Sequence, residues 1–133
     1  MKNVFIDTSA FKALIDEKDD FHVRAKQILD SNSKVLFITS NYIFDESLTL
    51  LRVRCGLSKA LDLRALLVDT TLAIRYYRTT VEDEAFAWDW FIKEWKDLSF
   101  TDCVTFAMMK RLEIDTIFTF DNHFKKAGFK VLM

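Results

Sequence analysis

The sequence predicts an α/β domain of three layers, with a central, mainly parallel sheet of four to five strands between helices. Short, nearly continuous apolar runs alternate with segments of helical spacing, as in parallel sheets that are covered on both faces. Proline is absent and glycine occurs only twice among 133 residues, so no linker or boundary can be drawn. Half of the residues are hydrophobic and 29% are charged, which excludes intrinsic disorder. We therefore expect residues 1–133 to form one domain.

The first part of the chain predicts two strands that each lead into a helix. Val4–Ile6 is a short β-favouring run, and the polar residues after it can begin a helix. Residues 21–32 have helical spacing, and Val35–Ile38 predicts a second strand. A long helix over Asn41–Cys55 should end at Gly56, a favourable residue just after a helix.

The rest of the chain continues this alternation. Ser99 and Asp102 have the spacing of a capping box at the start of a helix, with aspartate in place of the usual glutamate or glutamine. The predicted elements are a helix over 58–68, a strand over 72–77, helices over 82–95 and 103–112, a strand over 116–120 and a short edge strand within 129–132.

Composition limits the cellular setting and the kind of partner. Cys55 and Cys103 lie in apolar helical contexts without metal-ligand spacing, so we expect reduced thiols and a cytoplasmic protein. The sequence contains no apolar run long enough for a membrane span, and we expect neither an export signal nor a membrane partner. A net charge of −1 argues against a large basic surface, so any contact with a polyanion must be local.

Two aspartates are predicted at one edge of the sheet. Asp7 directly follows the first strand and Asp121 directly follows the fourth. If these strands are parallel, both carboxylates emerge at the carboxyl edge, where such sheets bind ligands. Taken singly, Asp7 can also be a helix N-cap and Asp121 the start of an Asx turn.

Two further acids are predicted to join them. The helical neighbours of Glu46 include Tyr42, Ile43 and Leu50, whereas Asp45 shares its side of the helix with polar residues. Glu46 is therefore the better candidate, although a partly exposed position at the helix edge is the alternative. Asp102 lies in the first turn of a helix, where free amides and the helix dipole stabilise a carboxylate.

Carboxylates gathered in this way repel one another unless cations neutralise them, which predicts a divalent metal site. Hydroxyl groups beside the acids are suited to supporting hydrogen bonds, and each is equally suited to capping a helix. These supporting residues are Thr8, Ser9 and Thr101.

Other catalytic arrangements lack essential parts. The chain has only two histidines, no phosphate-binding loop and no dinucleotide-binding turn. We expect His22 to be a surface residue, whereas His123 follows Asp121 closely enough to approach a substrate.

The acidic residues and their surroundings resemble the PIN-domain family, and most closely its VapC-type toxins. The similarity rests on four motifs and covers essentially the whole chain in the family's order. They are FIDTS at 5–9, TSNYIFDE followed by SLTLLR at 39–52, LSFTDC at 98–103 and FTFDNHF at 118–124. The family's conserved acids match Asp7, Glu46, Asp102 and Asp121, and Asp45 does not match.

The resemblance implies a three-layer α/β/α PIN-like nuclease domain that cleaves RNA with Mg²⁺ or Mn²⁺. The four matching acids would be both catalytic and metal-binding. It also implies a toxin that is silenced by a VapB-like antitoxin and is usually a homodimer.

Three alternatives stay open at this point. A PIN domain can serve RNA processing without being a toxin, or bind RNA or protein without cutting. A phospho-receiver also gathers aspartates around Mg²⁺, but its paired acids after strand one and its lysine after the last strand are not evident here.

Overall fold

The computed structural model describes residues 1–69 and 74–133 as alternating strands and helices. In chain order the elements are β1 (Asn3–Ile6), α1 (Thr8–Ile15), α2 (His22–Ser31), β2 (Leu36–Ser40), α3 (Asn41–Cys55), α4 (Leu57–Val68), β3 (Ile74–Tyr77), α5 (Val81–Phe91), α6 (Phe100–Arg111), β4 (Thr116–Phe118), α7 (Asn122–Lys126) and β5 (Lys130–Val131). The first two residues of the predicted strand 72–77 lie outside the described part of the chain.

The five strands form one sheet in the order β3-β2-β1-β4-β5, and every pairing is parallel. This confirms the predicted α/β class. Strand β1 is central, and Ile6 at its end is paired with Phe118 at the end of β4. The chain order reverses between β2 and β4 on either side of β1, which is the position where open α/β sheets bind ligands.

Burial explains why the strands are apolar without alternation. Val4, Phe5 and Ile6 are all buried, because helices cover both faces of β1. Helix α6 is also enclosed: every residue from Asp102 to Met109 is buried. An acid at the start of such a helix is carried into the interior.

Helices α1 and α6 start at the capping residues predicted for them, and two further helices are capped in the same way. Asp7, Ser40, Ser99 and Asp121 are the N-caps of α1, α3, α6 and α7, and each side chain accepts a backbone N–H bond. The short helix α7 was not predicted.

Two elements end earlier than their sequence pattern indicates. Helix α5 ends at Phe91 rather than at 95, and Trp95 folds back onto Trp90 and Phe106. Strand β4 ends at Phe118 rather than at 120, because the amide of Phe120 donates to the Ser9 hydroxyl instead of to a neighbouring strand. In both places a tertiary contact outweighs local propensity.

No helix among the described residues has the length and apolarity that crossing a membrane requires.

Candidate active site

A cavity of about 490 Å³ opens at the carboxyl edge of the sheet. All four predicted acids line it: Asp7, Glu46, Asp102 and Asp121. They come from the ends of β1 and β4, from α3 and from the first turn of α6. The structure therefore brings together the four residues that the sequence argument selected.

Asp7 is both a helix cap and a cavity residue. It is only 4% exposed. Its Oδ1 accepts hydrogen bonds from the Ser9 hydroxyl (2.8 Å) and the Ala10 amide (3.1 Å), and its Oδ2 accepts one from Thr119 Oγ1 (2.7 Å). A carboxylate has about four lone-pair sites, so these three bonds leave one position on Oδ2 for a cation or water. Burial raises the pKa of Asp7 to about 7, against the lowering effect of these bonds.

Asp102 experiences the charge of the other acids. The Ser99 hydroxyl accepts the amide of Asp102 at 3.0 Å, and the residue is 8% exposed. Burial and, to a smaller extent, the negative charges of Asp121 and Glu46 together raise the pKa of Asp102 to about 6. The bond from the Asp102 amide to the Ser99 hydroxyl is one of the two bonds of the predicted capping box. The Asp102 carboxylate is directed toward a histidine.

That histidine is His123, which lies between two of the acids. Its Nδ1 is 3.1 Å from Asp121 Oδ1 and 3.3 Å from Asp102 Oδ2, and its Nε2 is 2.7 Å from the Lys96 carbonyl oxygen. Because both ring nitrogens face acceptors, the geometry suits the imidazolium form. Burial opposes a charged ring, but the Lys96 carbonyl and the two carboxylates outweigh it and raise the pKa of His123.

Glu46 and Asp45 are separated by the rotation of helix α3. Glu46 is half-buried and lines the acidic cavity, while Asp45 is exposed and lines a neighbouring cavity with Arg78. Adjacent helical residues point about 100° apart, so the two acids face different surfaces.

The three predicted supporting residues do not share one location. Thr8 and Ser9 line the acidic cavity. Thr101 instead lines the neighbouring cavity, because it is one residue away from Asp102 on α6 and points to another side. Thr119 is a supporting residue that sequence reasoning did not select. It donates to Asp7 and accepts the Asp121 amide at 3.0 Å, and its position two residues before Asp121 was the available clue.

The donor set fits a divalent cation. Carboxylate oxygens of Asp102 and Asp121 lie within 4.8 Å of each other beside His123, and Asp7 and Glu46 face the same cavity. Oxygen-rich sets of this kind suit Mg²⁺ or Mn²⁺. Lys12 also lines the cavity, but its ammonium is 3.1 Å from an Asp16 oxygen and 2.9 Å from an Asp19 oxygen. It is therefore engaged by two other acids.

The sequence and the structure both match known proteins. The sequence matches the PIN domain family over residues 4–130. It is 33% identical over 127 residues to the 23S rRNA-specific endonuclease VapC20 of two Mycobacterium tuberculosis strains, CDC 1551 / Oshkosh and H37Rv, with 95% of each chain covered.

The structural comparison agrees. The crystal structure of M. tuberculosis VapC20, described as a Sarcin-Ricin loop cleaving toxin, superposes with a TM-score of 0.86 at 33% identity and 95% coverage of both chains. FitAcB from Neisseria gonorrhoeae superposes with a TM-score of 0.66 at 18% identity, over 98% of this chain and 96% of that one. At that identity the second match shows the fold alone.

Proposed function

The chain belongs to the PIN-domain family, and from this membership we propose that it is a metal-dependent endoribonuclease, the toxin of a VapBC-type pair. The observation that carries the proposal is the single cavity that holds Asp7, Glu46, Asp102 and Asp121 in a chain one-third identical to an rRNA endonuclease over 95% of its length. We further propose that residues 1–133 act as a single nuclease domain.

Asp7, Asp102 and Asp121, with help from Glu46, would hold Mg²⁺ or Mn²⁺. When bound, such a cation neutralises the phosphate and lowers the pKa of an attacking water. The residues of the chain perform the remaining tasks. Ser9 and Thr119 hold Asp7 in one orientation, and His123 holds the carboxylates of Asp102 and Asp121 at a common position.

Glu46 is suited to orienting the attacking water. It is half-buried and lies in the cavity wall with Asp102, so its carboxylate can face a water in the cavity. Hydrolysis of the phosphodiester would leave a 5′-phosphate and a 3′-hydroxyl, by analogy with the family.

The partners follow from the same proposal. We propose RNA as the substrate, a VapB-like antitoxin as the inhibitor and a second copy of the chain in a homodimer, with action in the cytoplasm. The mycobacterial relative is a 23S rRNA-specific endonuclease, which supports a ribosomal RNA target for this chain.

Incubation of the purified protein with labelled total RNA tests the nuclease activity. We expect discrete cleavage with Mn²⁺ or Mg²⁺, none with excess EDTA and none with Asp7→Asn. Asparagine also caps helices, so this variant should keep its fold. Full activity in the variant or in EDTA would disprove the metal mechanism.

Induction in cells tests the toxin assignment separately. We expect the wild type to arrest growth, and co-expression of a short neighbouring gene that encodes a VapB-like protein to restore it. Cleavage in vitro without any growth effect would leave a nuclease that is not a toxin.

A further inference from the structure

Two stacked phenylalanine rings stand at the wall of the acidic cavity. The rings of Phe21 and Phe120 are 4.7 Å apart between centroids and only 8° from parallel. Both residues line the cavity that holds the four acids. Phe120 directly precedes Asp121, so this stack begins next to a candidate metal ligand.

Phe21 is well exposed although it forms part of the cavity wall. It is 49% exposed, although one face of its ring is covered by Phe120. The opposite face is therefore available to another flat, apolar surface. Phe21 is also the N-cap residue of α2 but makes no capping hydrogen bond with its side chain, so helix capping does not explain a phenylalanine here.

The backbone that carries each ring is nevertheless held in place. Asp19 Oδ1 accepts the Phe21 amide at 2.8 Å, and Asp19 Oδ2 is 2.9 Å from Lys12 Nζ. On the other side, the Phe120 amide donates to Ser9 Oγ, and Ser9 donates to Asp7. The backbone of both residues is thus anchored to the cavity wall, and the two rings stack on each other.

We infer that Phe21 and Phe120 form a stacking platform that takes an unpaired RNA base next to the phosphate to be cut, on the free face of Phe21. This inference rests on the proposed function and adds the residues that hold the base beside the cut phosphate. A base inside a helix has both faces covered by its neighbours, whereas a base in a loop or single strand can stack on an aromatic ring. The platform therefore selects loops and single strands over duplex RNA.

Binding without cleavage tests the platform directly. In an Asp7→Asn background, a short single-stranded RNA that carries 2-aminopurine should lose fluorescence when it binds, because stacking quenches this base. Phe21→Ala should abolish most of the quenching, while Phe21→Trp should retain it. Phe86→Ala is the matched control, since Phe86 is 63% exposed on α5 and does not line the cavity. Equal quenching in the Phe21→Ala and Phe86→Ala proteins would overturn the inference.

Cleavage gives a second readout in otherwise wild-type protein. Phe21→Ala should reduce kcat/KM on a loop substrate about tenfold, within the range for loss of one stacked base. Removing the base beside the mapped cleavage site should produce a similar loss, and the two changes together should add little. Additive losses would mean that Phe21 supports the cavity rather than the base, and would overturn the inference.

The outcomes separate this inference from the proposed function. A wild-type protein that never cleaves RNA would refute the nuclease proposal, while the quenching experiment would still decide whether a base stacks on Phe21. If Phe21→Ala leaves quenching intact but prevents co-purification with the antitoxin, the exposed ring serves a protein partner and the inference is wrong.

Discussion

Thr119 and Asp7 are joined by a 2.7 Å hydrogen bond across the ends of β4 and β1, from residues 112 positions apart in the chain. The threonine hydroxyl donates to the carboxylate oxygen that retains a free position, and this bond lowers the pKa of Asp7 against the effect of burial. The contact connects the two strand ends on which the proposed metal site depends.

Replacing Thr119 with valine should weaken cleavage. The change keeps the shape of the side chain but removes the donor, so the pKa of Asp7 should rise further and less of it should be ionised near neutral pH. We expect a loss of about tenfold, which corresponds to a hydrogen bond to a charged group. A pH–rate profile should show a larger loss at pH 6 than at pH 8. Thr119→Ser keeps the hydroxyl and should stay close to wild type; equal losses in the two variants would contradict this role.

Adjacent acids on α3 offer a matched pair of substitutions. Glu46→Gln should reduce cleavage at least tenfold, because the amide cannot replace a carboxylate that helps to hold a cation or orient water. Asp45→Asn should change it little, because Asp45 is exposed and lies outside the acidic cavity. Initial rates on the same RNA at saturating Mn²⁺ compare them. A severe defect in Asp45→Asn with a normal Glu46→Gln would reverse the assignment.

Thermal stability in metal-free buffer should fall as pH rises from about 4 to about 7. Asp7 and Asp102 have folded pKa values of about 7 and about 6, above the ordinary value of 3.8. In this pH range the unfolded state has released these protons while the folded state still holds them, so the free energy of unfolding falls as the pH rises. Above about pH 7 both states are ionised and the fall ends. Melting curves at several pH values measure this dependence.

Divalent cations should reverse that loss. At pH 8 Mg²⁺ or Mn²⁺ meets ionised carboxylates, so it should raise the melting temperature by several degrees, whereas at pH 5 it competes with bound protons and should raise it less. Asp7→Asn should be more stable than wild type at pH 8 without metal, since it has no charge to bury at this position. Stabilisation by Mg²⁺ that is equal at both pH values would argue against ligation by these acids.

A third buried acid, Asp83, should affect stability with the opposite dependence on pH. Asp83 is only 1% exposed and receives two bonds from Arg111, at 2.8 and 2.9 Å, between α5 and α6. Burial alone would raise the pKa of Asp83, but Arg111 and Thr80 hold it below its ordinary value. The stabilisation is therefore present above about pH 4 and is lost as the pH falls further.

Arg111→Met should then lower the free energy of unfolding by about 2 kcal/mol at neutral pH, because it leaves a buried carboxylate without its partner. Urea unfolding at pH 7 and pH 3 should show a smaller difference between wild type and variant at the lower pH. Arg24→Met, which removes an exposed arginine from α2, is the control and should have little effect. An Arg111→Met protein as stable as wild type would mean that the ion pair contributes nothing.

The acidic quartet could be predicted from sequence because its placement follows from topology. Asp7 directly follows β1 and Asp121 comes three residues after β4, and any parallel arrangement of those strands puts them at one edge. Glu46 could be preferred to Asp45 because helical rotation is regular. These arguments need only the element type and its direction.

The other parts of the site depend on packing between distant segments. His123 reaches Asp102 only because α7 lies against the start of α6, and the stack of Phe21 on Phe120 requires the loop before α2 to lie over the end of β4. No local pattern reports such distances. The placement of Thr101 outside the cavity likewise depends on how α6 is rotated within the core.

The central position of β1 has a consequence for synthesis of the protein. Strand β1 comes first among the described elements, whereas its neighbour β4 follows β2, β3 and α6 in chain order. Domains generally fold as units, so a nascent chain cannot bring Asp7 and Asp121 together until β4 and the residues after it have left the ribosome. The candidate metal site is therefore absent from any nascent or truncated chain that ends before Asp121.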